Sequence, residues 1–147
     1  MIARISTVLK TNEDSMWQEL ENVSALIHVA SPILKIRPQG GYSLPDKWIP
    51  GTEYKLKISL FGILPLGNHF IRLVELNKAE NRIVSNEHGL LARIWNHTIT
   101  FNAIDDLAIT YTDEIEIKAG ILTFLIWLFA HAFYRHRQRK WQKLLDS

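Results

Sequence analysis

Between Ile121 and Ala130 only Thr123 interrupts a run of apolar side chains, Ile-Leu-Thr-Phe-Leu-Ile-Trp-Leu-Phe-Ala, so no face of a helix through it is polar. A helix that is hydrophobic all round has to be covered on more than one side, by protein or by lipid. Ala119 to Tyr134 precedes the first charge, contains His131, and measures about 24 Å as a helix, short of a bilayer core that takes roughly 20 residues. The cover is therefore expected to be protein. A helix from about Ala119 to Leu145 would be roughly 40 Å long, enough to cross a whole sheet. Its second half, Arg135-His136-Arg137-Gln138-Arg139-Lys140, suits the negative end of the helix dipole and reads as a solvated helix end.

The strands that could cover this helix are legible from period-two alternation. Residues 2 to 10 alternate with many β-branched side chains, and Glu53 to Phe61 sets Tyr54, Leu56, Ile58 and Leu60 against Lys55, Lys57 and Ser59. Between them, Thr11 and Asn12 offer helix caps and Glu13 and Asp14 suit a first turn. One or two short helices are expected over 12 to 29, ended by Pro32, with a short strand at Ile33 to Arg37. Residues 38 to 51 are rich in proline and glycine and read as a long loop. Gly62 to Gly67 reads as a turn carrying Ile63, Leu64 and Leu66, which have little reason to face water; strands follow at 68 to 77 and 82 to 88. Residues 93 to 103 and 107 to 118 form the clearest hairpin, with Ile104-Asp105-Asp106 as its turn. Trp95, His97, Ile99 and Phe101 share one face, as do Leu107, Ile109, Tyr111, Asp113, Ile115 and Ile117. Pairing 103 with 107 keeps both faces on one side of the sheet and sets His97 opposite Asp113.

Segregated strands and helices mean an α+β fold, and the economical arrangement is a curved antiparallel sheet of about six to seven strands wrapped around the long C-terminal helix. A chain of 147 residues, 47% hydrophobic, fits one domain over 1–147. With no cysteine there is no disulfide, zinc-ribbon or thiol chemistry. The N-terminal stretch lacks the apolar core of a signal peptide, so a cytoplasmic protein is expected. Seventeen Lys+Arg against fifteen Asp+Glu, with the helix-end cations spread around the axis, give no reason to expect a nucleic-acid partner.

His97 and Asp113 are the polar groups on otherwise apolar faces, and a buried carboxylate needs a partner. Two readings stand: a structural pair that fixes the hairpin, or a dyad in a cavity wall, beside Tyr111 and Trp95, that binds a polar end or moves a proton. Glu87 reads as solvated. The six histidines are scattered without metal-ligand spacing, and no phosphate loop or nucleophile elbow occurs, so neither a metal nor another cofactor is expected.

In Glu87-His88-Gly89, Trp95-Asn96-His97, Asp113-Glu114-Ile115 and the helix stretch from Phe129 to Gln138, over nearly the full chain, the sequence resembles an uncharacterised bacterial subgroup of the START-like, or SRPBCC, helix-grip superfamily. The resemblance implies a deep cavity between sheet and helix for lipid, sterol, polyketide, isoprenoid or hormone molecules, with chemistry performed there in cyclase-like members. It makes binding of a hydrophobic small molecule the leading function. The expected lining is Tyr54, Leu56, Ile58 and Leu60 from one strand, Trp95, His97, Ile99, Tyr111 and Asp113 from the hairpin, and Leu125 and Phe129 from the helix. A polyketide cyclase-like or dehydratase-like enzyme using His97 and Asp113, peripheral membrane contact through the turn at 62 to 67, and a helix that packs on a partner chain, such as a second copy in a homodimer, are the alternatives.

Overall fold

The computed structural model describes every residue except Tyr42, which falls inside the expected loop 38 to 51. The chain runs β1 (Ile2–Leu9), α1 (Glu13–Leu20), α2 (Val23–Ala30), β2 (Leu34–Pro38), β3 (Glu53–Leu60), β4 (Leu64–Asn77), β5 (Arg82–Gly89), β6 (Ile94–Ala103), β7 (Ile109–Lys118), a 3₁₀ turn at Gly120–Leu122 and α3 (Thr123–Asp146). Seven strands make one antiparallel sheet in the order β1-β7-β6-β5-β4-β3-β2, with α3 laid against it. The α+β helix-grip architecture expected from the sequence is the one observed. Asn12 caps α1 as its residue type suggests, its Oδ1 accepting from Ser15 N–H at 2.8 Å, with Glu13 and Asp14 in the first turn.

The long helix is fastened along the free edge of β1. Trp127 Nε1 donates to the Ile2 carbonyl at 2.8 Å, Arg135 Nη1 to Ser6 at 3.0 Å, and Gln138 Nε2 to Ile5 at 2.8 Å, while Gln142 Oε1 accepts from Lys10 N–H at 2.8 Å. The bonds to Ile2, Ser6 and Lys10 satisfy edge groups that would otherwise invite another strand. The buried stripe of α3 is Ala130, Phe133, Tyr134, Arg137, Gln138 and Trp141, at helical spacing.

Four expectations are corrected. The hairpin turn is wider: Ala103 pairs with Ile109, so His97 sits opposite Ile115 and Asp113 opposite Ile99. Asp105 explains this, because its Oδ1 takes the Leu107 N–H at 2.8 Å and leaves Ile104 N–H to reach the Ala108 carbonyl at 2.9 Å. Leu107 is thereby ejected, 79% exposed, and the buried face starts at Ile109, 0% exposed. Second, the turn after β3 is shorter than 62 to 67. Phe61 and Gly62, with φ 53° and 72°, reverse the chain, Ile63 N–H bonds the Leu60 carbonyl, and Leu64 already opens β4. Third, the 3₁₀ turn and the first half of α3 are covered on one side only, leaving Ile121 in the turn and Phe124, Leu125 and Leu128 in the helix exposed, because the sheet lies against the opposite face. Fourth, the basic stretch is not uniformly solvated, since Arg137 and Gln138 point inward.

The wider turn separates two mutations that the shorter one would equate. Ile109→Ala is expected to cost about 2–5 kcal/mol in urea unfolding, and Leu107→Ala no more than about 0.5 kcal/mol. Equal costs would restore the narrower register.

Candidate functional site

A cavity of about 720 Å³ lies between the concave face of the sheet and α3. Among the residues expected from sequence, Ile58, Leu60, Trp95, His97, Ile99, Leu125 and Phe129 line it. Tyr54, Leu56, Tyr111 and Asp113 are buried but lie off its surface, packed within the core. The structure adds lining residues from β2, β4 and β5, from α1 and α2, and from the deeper stripe of α3. Leu64, Leu90, Leu91, Leu125 and Leu128 both line the cavity and face outward, so they form an apolar mouth. Among the described residues of the loop 38 to 51, only Trp48 reaches the lining.

The wall is apolar except where β5 and β6 part. Their pairing ends at Ser85 with His97, although β5 runs on to Gly89. Polar side chains gather at this gap in two groups. In the first, Asp113 Oδ1 accepts from His97 Nε2 at 2.7 Å and from Tyr111 Oη at 3.2 Å, while Oδ2 accepts from Gln138 Nε2 at 3.1 Å. The shift in register leaves His97 and Asp113 diagonal rather than opposite, still on one face and within side-chain reach. Because a carboxylate only accepts, His97 Nε2 carries the proton, and His97 Nδ1 has no hydrogen bond among the described residues. Tyr134 stands over this group: its ring lies 4.9 Å from that of His97, and its Oη accepts from Trp95 Nε1 at 3.0 Å. Burial pushes both the Tyr134 and the Tyr111 phenols above their ordinary value, so both remain neutral donors or acceptors.

The second group corrects the reading of Glu87 as solvated. Glu87 Oε1 bonds His69 Nε2 at 2.9 Å and Oε2 accepts from Ser85 Oγ at 2.7 Å, with all three side chains on the cavity wall. Burial works against its charge, but the hydrogen bond and charge of His69, helped by His97 and Ser85, outweigh it and hold the carboxyl below its ordinary value. Gly89 makes the arrangement possible: a Cβ there would lie 2.8 Å from His69 Nδ1 and 2.9 Å from the Asn68 carbonyl. His69, Ser85, Tyr134, Arg137 and Gln138 were not singled out from sequence. The alternation Ile83, Ser85, Glu87 and the helical spacing of Tyr134, Gln138 and Trp141 were the available signals.

Arg137 also lines the cavity, 4% exposed. Its Cζ stands 4.9 Å from the Tyr134 ring centroid and 5.9 Å from that of Phe133. Burial opposes its charge, and nearby Tyr134, Asp113, Tyr111 and Glu87 together outweigh that, keeping the guanidinium above its ordinary value.

A seven-stranded antiparallel sheet gripping a long C-terminal helix around an internal cavity is the START-like architecture. Solved structures of this fold cover the whole chain. A protein from Chromobacterium violaceum superposes with TM-score 0.74 at 17% identity, over 100% of this chain and 99% of that one. A START superfamily protein from Mycobacterium smegmatis gives TM-score 0.66 at 8% identity, over 99% and 97%. The Zhui aromatase/cyclase from Streptomyces sp. R1128 gives TM-score 0.60 at 11% identity, over 99% and 90%. No curated protein sequence matches. Residues 7–145 match the model of the family described as a domain of unknown function, DUF8410, and the chain belongs to that family.

Two measurements check the site. A double-mutant cycle of His97→Gln and Asp113→Asn should show coupling of about 0.5–3 kcal/mol in unfolding free energy; additivity would mean that the two do not interact. Glu87, with its folded-state pKa below the ordinary 4.5, contributes stability that is complete above that pH and lost as pH falls through the folded value. The stability advantage of wild type over Glu87→Gln should therefore shrink as pH falls below about 4.5. A difference that stays constant from neutral to strongly acid pH would contradict the pairing with His69.

Proposed function

We propose that the protein binds and carries a hydrophobic small molecule, of lipid, polyketide or isoprenoid type, in the cavity between sheet and α3. The observation that carries this reading is the cavity itself: about 720 Å³, within the range of small-molecule sites, walled by aliphatic and aromatic side chains and opening through leucines. An apolar mouth of this kind costs solvation unless something apolar passes it. START superfamily and aromatase/cyclase structures share the fold, which supports a cavity that takes ligands without choosing among them.

Nile red, a neutral dye, is expected to bind saturably at one site per chain. Leu64→Asp, which puts a charge in the mouth at a half-exposed position, should weaken binding at least tenfold with stability changed by no more than about 0.5 kcal/mol. Absence of saturable binding would remove the proposal.

One observation favours a second reading, a cyclase-like or dehydratase-like enzyme. His97 lines the cavity with Nε2 held by Asp113 and Nδ1 free, the arrangement of an oriented general base. Turnover of a bound ligand, slowed by His97→Gln at unchanged affinity, would select this reading over simple carriage. Peripheral membrane contact and pairing with a second copy would both run through the outward face of Ile121, Phe124, Leu125 and Leu128 with the mouth. Flotation with phosphatidylcholine vesicles and a sedimentation mass distinguish them.

A further inference from the structure

We propose that the cavity takes a hydrophobic acid, oriented with its apolar body toward the mouth and its carboxylate at the inner end against Arg137. This deepens the ligand-binding reading and rests on it.

The charge inventory of the inner wall carries the argument. Both anionic groups are fully engaged: the oxygens of Asp113 accept from His97, Tyr111 and Gln138, and those of Glu87 are taken by His69 and Ser85. The cation is not. Arg137 makes no salt bridge or hydrogen bond among the described residues, and its Nε and Nη2 are shielded from water with no acceptor. Aromatic rings of Tyr134 and Phe133 stand near the guanidinium, and a π face stabilises a cation without accepting its N–H groups in line. A buried donor left without an acceptor is costly, the more so when charged, so a buried arginine with two such atoms marks a place for an acceptor.

Space and direction point to what that acceptor is attached to. Arg137 is twelve residues beyond Leu125 on α3, a rise of about 18 Å along the helix axis, and both line one cavity. Between them the helix presents Phe129, Phe133 and Tyr134. A ligand filling this length meets apolar surface for most of it and a positive charge at the end. The group that matches a guanidinium best in charge and shape is a carboxylate, which can take two parallel N–H bonds. Hydrogen bonds to Asp113 and Glu87 spread their charge without cancelling it, so the guanidinium has to outweigh their repulsion of an incoming carboxylate.

The test compares dodecanoate, dodecan-1-ol and dodecylamine by calorimetry near pH 8, below their micellar concentrations, with Nile red binding measured on the same protein. Dodecanoate is expected to bind wild type at least tenfold more tightly than the alcohol, with the amine weakest. Arg137→Met, which keeps the stem and loses the charge, should reduce dodecanoate affinity at least tenfold and leave dodecan-1-ol within threefold. Where the Met variant does not fold, Arg137→Lys serves, retaining a charge without the fork and expected to keep only part of the preference. Equal affinity of wild type for acid and alcohol, or a preference that survives Arg137→Met, overturns the proposal while Nile red binding leaves the carrier reading standing. If neither Nile red nor any of the three probes binds, both fall.

Discussion

The carboxylate of Asp113, with no solvent exposure, is the point on which the helix and the sheet agree. Its oxygens gather donors from β6, from β7 and from α3, and the same Gln138 amide that reaches Asp113 also bonds the Ile5 carbonyl in β1. An ionised carboxylate in the core is tolerated only when it is fully hydrogen-bonded, and breaking such a cluster by removing one member typically costs about 3–5 kcal/mol. The requirement sets a geometry. Gln138 can serve both partners only if α3 lies along the free edge of β1 at one rotation, and that rotation turns Phe129, Phe133, Tyr134 and Arg137 to the cavity.

The cavity follows from the same placement. The deeper half of α3 is held by polar bonds to the edge strand and by the packing of Trp141 among core side chains from α1, β6 and β7. The shallower half has a single such bond, from Trp127 to Ile2, and its leucines meet the leucines of β4 and the segment after β5 around an opening. Where β5 leaves β6 after Ser85, backbone pairing gives way to side chains, which is why Glu87, His69 and His97 face inward at that level. The result is a pocket polarised along its length, apolar at the mouth and charged within.

That polarity bears on what the site can do. His97 is oriented by Asp113 and Tyr134 is held neutral beside it, so proton transfer to a ligand is chemically available. Yet the same residues hold the fold together, and a group whose first role is structural need not act on a ligand. Arg137 is different in kind: among the described residues its guanidinium makes no salt bridge or hydrogen bond, and its contacts in the fold are with the Tyr134 and Phe133 rings.

Period-two and helical spacing are local properties of the chain, so they mark the strands, helix without a settled count over 12 to 29, the long helix and the sharing of one face by His97 and Asp113. The sequence by itself also marked the Ile63, Leu64 and Leu66 cluster as out of place in a turn, and Leu64 and Leu66 do line the cavity. Tertiary structure alone decided the register of the last hairpin, since one Asp105 side-chain bond widened the turn without changing parity. It also decided the fate of the basic helix end. Composition gives Arg137 and Arg139 the same charge, and only the rotation imposed by Gln138, Asp113 and Trp141 buries Arg137 and leaves Arg135 and Arg139 at the surface.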